Sequence, residues 1–117
     1  GAISALHADA TSWLATDWRQ IIMLYTGLLS FHPTPVVALN LAMAKANDGQ
    51  VEQAYAEVVE LKRLLFDYQP YFAARGELES RLNLVTSAAA SLNQAIKLSK
   101  NGCERDFLKN KLAAIKN

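Results

Sequence analysis

Residues of the same kind recur along this chain at intervals of 34 positions. The turn-forming residues Gly49 and Asn83 are separated by that interval, and small residues repeat it at Ala8, Ala42 and Gly76. A fixed period of about 20 to 50 residues is typical of proteins in which one supersecondary unit is stacked several times. The interval therefore predicts a stack of similar units.

Three further series of residues keep the same interval. They are Ala54 with Ala88, Leu24 with Val58 and Leu92, and Gly27 with Leu61 and Ala95, the last with one bulky member. Antiparallel helices approach closely only where a small side chain faces the partner, and the turn between them favours a residue that accepts positive φ. The period and this order of small and large residues resemble those of a tetratricopeptide repeat. The alternative is an irregular helical bundle with chance alanine matches.

Composition indicates that the stacked units are helical. Alanine and leucine supply 36 of the 117 residues, whereas the chain has only 3 prolines and 5 glycines. Both residues are strong helix formers. The single cysteine, Cys103, excludes an internal disulfide framework and favours a reducing, cytoplasmic setting. The net charge of +1 gives no strong expectation of nucleic acid, and we expect neither a membrane span nor a targeting segment.

Prolines and turn residues divide the chain into seven segments of helical length. We expect helices over residues 1–14, 17–31, 35–47, 51–66, 71–82, 86–98 and 101–115. Thr16 is the expected N-cap of the second helix, with Asp17 in its first turn. Pro70 is expected to keep Gln69 in a loop. Asn101 followed by Glu104 three residues later is typical of a capping box.

These segments predict one all-α domain over residues 1–117. Short connections imply antiparallel neighbours, so the fold is expected to be a right-handed stack of antiparallel helix pairs. We expect about three degenerate tetratricopeptide-like repeats, closed by the last segment as a C-terminal capping helix.

Four stretches carry a more specific resemblance than the repeat pattern. They read ISALHADA, TDWRQIIMLYTGLLSFHPTPVVALNLAMA, YFAARGELESRL and CERDFLKNKLAAI. In order and spacing they resemble the C-terminal extension of bacterial extracytoplasmic-function (ECF) sigma factors that carry a tetratricopeptide-like domain. The sequence departs from that family at Leu41, where an arginine is usual, and at Asn83 and Leu84, where the family tends to read Gly-Arg.

The resemblance implies an accessory domain that acts in transcription initiation through protein contacts. Sigma regions upstream of residue 1 would bind core RNA polymerase and promoter DNA. The partner of this domain would be its own sigma regions, RNA polymerase or a regulator. The second hypothesis is a free-standing adaptor that binds a peptide or protein in its groove, and the third is an enzyme or its helical subunit.

Catalytic and metal-binding chemistry has little support in the sequence. His7 and His32 belong to no cluster of metal ligands. Cys103 is near a helix start, where a thiol can be reactive, but we interpret it as an ordinary, partly buried cysteine. Glu77 and Glu79 are two residues apart and diverge on a helix, so they do not form a paired acid and base. We therefore expect no enzyme activity, metal or cofactor.

Helical-repeat stacks usually bind partners along the surface formed by the first helix of each pair. By position, the residues expected to bind a partner are Leu39, Met43, Asn47, Glu77 and Arg81 on this surface, with Asn40 and Arg75 beside it. Ala46, Ala73 and Ser80 are expected on the same surface. The lysine-rich segment 97–116 is interpreted as a solubilising face of the cap. Ile3, Trp13 and Leu14 are expected to allow self-association of the isolated chain.

Overall fold

The computed structural model describes residues 16–116, which form six α-helices and no strand. The helices are α1 (Trp18–Phe31), α2 (Pro35–Asn47), α3 (Val51–Glu60), α4 (Gln69–Arg81), α5 (Val85–Leu98) and α6 (Gly102–Lys116). The all-helical prediction is confirmed for this part of the chain. The first expected helix, with His7, Ala8 and the apolar residues Ile3, Trp13 and Leu14, lies outside the described residues.

Each helix packs against the next one along the chain. The contacts are most extensive between α4 and α5, and α2 also contacts α4 directly. The core is formed by apolar side chains from α2 to α6 and from the turn after α3. Its most deeply buried large members are Val58, Tyr71, Leu78, Leu92 and Leu108. In contrast, α1 contributes no buried residue.

Residues of the 34-position series occupy equivalent environments in two of the helix pairs. Ala54 and Ala88 are both fully buried, and the exposed fraction of Val58 and Leu92 is at most 1%. Gly49 follows α2 with φ +94° and Asn83 follows α4 with φ +61°, so both turns use a left-handed residue. Leu24 departs from its series because it is 64% exposed on α1.

The start of α1 differs from the sequence prediction by one residue. Asp17 is the N-cap, and its Oδ1 accepts a hydrogen bond of 3.2 Å from the backbone N–H of Gln20. The expectation that Thr16 is the cap was therefore wrong. A carboxylate at this position also interacts favourably with the positive end of the helix dipole.

The third helix is shorter than expected, because it ends at Glu60 and not at Phe66. The Val58 carbonyl oxygen accepts hydrogen bonds from the N–H of Leu61 at 3.0 Å and from the hydroxyl of Tyr71 at 2.8 Å. Tight turns then continue through residues 61–67. A hydroxyl from another helix thus replaces the helical hydrogen bond that Lys62 would otherwise donate.

Helix α4 begins earlier than expected, at Gln69. Pro70 lies in the first turn, where the N–H that proline lacks would have no helical partner in any case. The prediction of a loop through Pro70 was therefore wrong. The capping interaction expected before α6 is present, since Asn101 Oδ1 accepts a hydrogen bond of 2.8 Å from the N–H of Glu104.

Candidate protein-interaction surface

The partner-binding residues predicted on α2 differ in accessibility. Asn40 is exposed, and Met43 and Asn47 are half-buried. Leu39 is only 3% exposed and packs in the core. Leu39 therefore stabilises the fold and is not part of an accessible surface, which corrects its predicted place in a groove. The reason is that α2 is covered on more than one side, by α1, α3 and α4.

Polar side chains from α2, α4 and α6 join across the outside of these helices. Arg81 donates from Nη1 to Asn47 Oδ1 at 3.0 Å and from Nε to Glu77 Oε2 at 2.9 Å. Lys111 donates from Nζ to Glu77 Oε1 at 2.8 Å. We call these four residues the polar ladder. It contains Asn47, Glu77 and Arg81 from the predicted site, and adds Lys111.

The two links of the polar ladder that run between helices each join residues 34 positions apart. Asn47 and Arg81 form one link, and Glu77 and Lys111 form the other. At these two places, residues separated by the 34-position interval therefore lie side by side in space. Lys111 was interpreted from sequence as part of a solubilising face, and the period alone could have identified it as the neighbour of Glu77.

Glu77 is the electrostatic centre of the polar ladder. The hydrogen bond from Lys111 lowers its pKa most, and Arg81 lowers it further, against the opposing effect of partial burial. Beside it lies a small cavity of about 230 Å³ between α4, α5 and α6, which Glu77, Lys111 and Ile115 help to line. The surface thus presents paired charges next to apolar side chains.

Arg75 lies on a different face of α4 from the polar ladder. It is two residues before Glu77, a rotation of about 200° around the helix. Its Nε donates to Glu79 Oε2 at 3.2 Å, and its Nη1 donates to the hydroxyl of Tyr71 at 3.2 Å. The prediction placed Arg75 beside the surface that Glu77 and Arg81 form, and the structure separates them. Glu77 and Glu79 do diverge as predicted.

A carboxylate organises this second face, and its burial was not predicted from the sequence. Glu79 is 1% exposed. Its Oε2 accepts hydrogen bonds from Tyr55 Oη at 2.6 Å and from Arg75, and its Oε1 accepts one of 2.5 Å from Ser91 Oγ. We call Tyr55, Tyr71, Arg75, Glu79 and Ser91 the Glu79 cluster. Since each carboxylate oxygen is partnered, the buried charge is compensated.

The 34-residue period could have indicated from the sequence that Glu79 meets a polar partner on the next helix. Moving Glu79 and Ser91 back by 34 positions gives Lys45 and Glu57, and these two residues form an ion pair of 3.1 Å between α2 and α3. Polar side chains therefore meet at equivalent places in two helix pairs. The residue types differ, so a search for identical residues does not find the match.

Burial alters the titration of the aromatic members of the Glu79 cluster. Burial raises the pKa of Tyr55, and the hydrogen bond to Glu79 raises it further. Burial also raises the pKa of Tyr71, against the opposing effect of Arg75. For Arg75, burial acts to lower the pKa, but its hydrogen bonds to Tyr71 and Glu79 outweigh that effect and raise it. Both phenols therefore remain neutral donors at physiological pH.

The remaining candidate residues are isolated. His32 is exposed at the end of α1, where its backbone N–H donates to the Leu28 carbonyl at 2.7 Å. Cys103 is exposed near the start of α6. Within residues 16–116, no group of three His, Cys, Asp or Glu side chains is arranged to hold a metal ion. None of the helices described in this range is long and apolar enough to cross a membrane.

Comparison with known proteins finds a relative in Rhizobium meliloti (strain 1021). An uncharacterized protein of that bacterium is 37% identical over 111 residues, which cover 95% of this chain. The chain spans only 26% of that protein's length. No family model matches the chain, and no solved structure matches it significantly. The relative is a longer protein that contains a region similar to this one.

Proposed function

We propose that the chain is a tetratricopeptide-like domain built for protein interaction. The observation that carries this proposal is the polar ladder, in which Asn47 meets Arg81 and Glu77 meets Lys111 at a separation of 34 residues. The left-handed turn residues Gly49 and Asn83 keep the same separation. Stacked helix pairs of this kind present long surfaces that suit peptides and proteins.

The transcription role is the more specific part of the proposal. The domain would be the accessory C-terminal part of an ECF-type sigma factor, with promoter-binding regions on its N-terminal side. The resemblance of four stretches of the chain to such extensions supports it. The similarity to part of a much longer protein fits a domain that acts with others. Its partners would be the sigma regions, core RNA polymerase or a regulator.

The test begins with the parent gene upstream of the codon for Ala2. We expect it to encode sigma-type helices that include a helix-turn-helix. Promoter-dependent transcription by the full-length protein with core RNA polymerase should then change at least about twofold when residues 2–117 are removed. An unrelated upstream domain, or unchanged transcription after truncation, would overturn the transcription role.

A point variant separates surface contacts from loss of the whole domain. Asn40→Ala removes an exposed amide on α2 and should reproduce part of the truncation effect in the full-length protein. Asn93→Ala makes the same change at an exposed position of α5 and should leave transcription unchanged. Equal effects of the two variants would exclude α2 as the interacting surface.

The second candidate is the free-standing adaptor. It rests on the same polar ladder and needs no upstream sigma regions. In that case, the parent gene would begin close to Ala2 or encode an unrelated partner domain, and substitution of Met43 together with Arg81 should abolish partner capture while the domain stays folded.

A further inference from the structure

The early end of α3 breaks the internal repeat and opens a cleft. If α3 matched its counterparts in the 34-residue period, it would end near position 65, judged from the end of α1 at Phe31, or near position 64, judged from the end of α5 at Leu98. Instead, α3 ends at Glu60. The missing turn leaves a cleft of about 510 Å³ between the segment after α3, α4 and α5. This volume lies in the range of about 300–1,000 Å³ that is usual for ligand sites.

The floor of the cleft is rigid and charged. Arg75, Glu79 and Ser91 line it, and the hydrogen bonds of the Glu79 cluster fix all three. The same cluster holds the end of α3, because the Tyr71 hydroxyl accepts from Arg75 and donates to the Val58 carbonyl. The break in the helix and the chemistry of the cleft thus have one structural cause.

The cleft offers hydrogen-bond donors that the described residues leave unused. Arg75 uses Nε and Nη1, while its Nη2 makes no hydrogen bond within residues 16–116. Since no fully buried polar side-chain atom in that range lacks a partner, Nη2 is at least partly accessible to solvent. Lys62 and Gln94 also line the cleft, and neither forms an ion pair or side-chain hydrogen bond in this part of the chain.

The charge of the cleft favours an anion. Glu79 is the acidic residue that lines it, and Arg75 neutralises its charge across 3.2 Å. Lys62 then leaves a net positive charge at the rim. Phe66, 63% exposed, adds apolar surface beside these donors, and Phe72, only 8% exposed, also lines the cleft. A guanidinium and an ammonium next to aromatic rings are suited to a carboxylate attached to an apolar group.

We propose that this cleft binds a peptide segment in which an Asp or Glu side chain stands next to a large apolar residue. The carboxylate contacts Arg75 Nη2 and Lys62, and the apolar side chain packs against Phe66. This site lies across α4 from the polar ladder. The proposal holds whether or not the domain belongs to a sigma factor, so the two proposals fail separately.

The test uses arrays of capped five-residue peptides with a central Glu and every pair of flanking residues, matched with arrays that carry a central Gln. We expect peptides with Glu beside an apolar residue to bind at least about tenfold more tightly than their Gln counterparts. Bound peptides should shift the backbone NMR signals of Ser87 and Gln94. Equal binding of the Glu and Gln arrays, or no binding by either, would overturn the proposal.

A matched pair of variants locates the binding site. Lys62→Gln should weaken binding of the best Glu peptide by about threefold to tenfold, because it removes the charge at the rim and leaves the Glu79 cluster intact. Arg63→Gln makes the same charge change at the next, exposed residue, which does not line the cleft, and should have little effect. If the two variants weaken peptide binding equally, or if neither weakens it, Lys62 has no specific role and the assignment to this cleft is overturned.

A final set of peptides distinguishes the source of the carboxylate. Peptides without acidic side chains but with a free C-terminal carboxylate should bind no better than the capped Gln array. If they bind as tightly as the Glu peptides, the cleft recognises chain ends, and the proposal of an acidic side chain is wrong.

Discussion

Two glutamates on α4 show how position alone determines what a charged residue does. Glu79 is 1% exposed and bonded to three side chains, whereas Glu77 is 31% exposed and bonded to two cations. The sequence predicted that they diverge, because side chains two positions apart on a helix point in nearly opposite directions. It did not predict which of them is buried, since that depends on which helices pack on either side of α4.

We expect Glu79→Ala to lower the free energy of unfolding by about 3 kcal/mol or more, because it leaves a mostly buried Arg75 without its counter-ion. Glu77→Ala is the matched control and should cost less than about 1 kcal/mol, since its partners remain accessible to water. Urea denaturation of the two variants measures the difference. Equal losses would contradict the structural role assigned to Glu79.

At the scale of the helices, the sequence predicted the presence of each described helix correctly, but it predicted the helix ends less accurately. The bounds of α2 are as expected, because Pro35 at its start and Gly49 after its end act locally. The end of α3 differs from the prediction, because it depends on a hydrogen bond from the Tyr71 hydroxyl on α4 to the Val58 carbonyl. A helix end set by a side chain on another helix cannot be read from the local pattern of residues.

The close approach of α4 and α5 gives a sharp test at this scale. A Cβ at Gly76 would lie 3.0 Å from Leu92 Cγ, whereas a Cβ at Gly27 on α1 would meet nothing within 4 Å. We expect Gly76→Ala to destabilise the protein by up to about 2 kcal/mol, because overpacking against the buried Leu92 costs about 1–3 kcal/mol and the better helix propensity of alanine offsets only about 1 kcal/mol of it. Gly27→Ala should stabilise it by about 0.5–1 kcal/mol, because alanine is the better helix former. Thermal unfolding of both variants measures these effects, and stabilisation by Gly76→Ala would contradict the close packing.

At the scale of the whole molecule, burial is distributed unevenly along the six described helices. Helix α1 contains no buried residue and exposes Met23, Leu24 and Phe31. Helices α4 and α5 share the most extensive contact of the described fold. A row of elements that contact mainly their neighbours opens most easily where the burial is least.

Native-state hydrogen exchange should report this gradient directly. Backbone amides in α1 are expected to exchange fastest among the six helices, and those in α4 and α5 slowest, by at least about 100-fold, because opening the shared core exposes more apolar surface. Gly27→Ala should slow exchange in α1 alone. Uniform protection across all helices would mean that the fold opens only as a single unit.

The sequence by itself determined that the described chain is helical, where most of its helices lie, and which small residues recur every 34 positions. These properties follow from local propensity, from turn chemistry at Gly49 and Asn83, and from a periodic pattern. Only the tertiary structure decided that Leu39 is core, that Glu79 and not Glu77 is the buried glutamate of α4, and that Glu79 and Tyr71 together shape a cleft. The physical reason is that burial and hydrogen-bond partners depend on helices distant in sequence, which a local pattern does not encode.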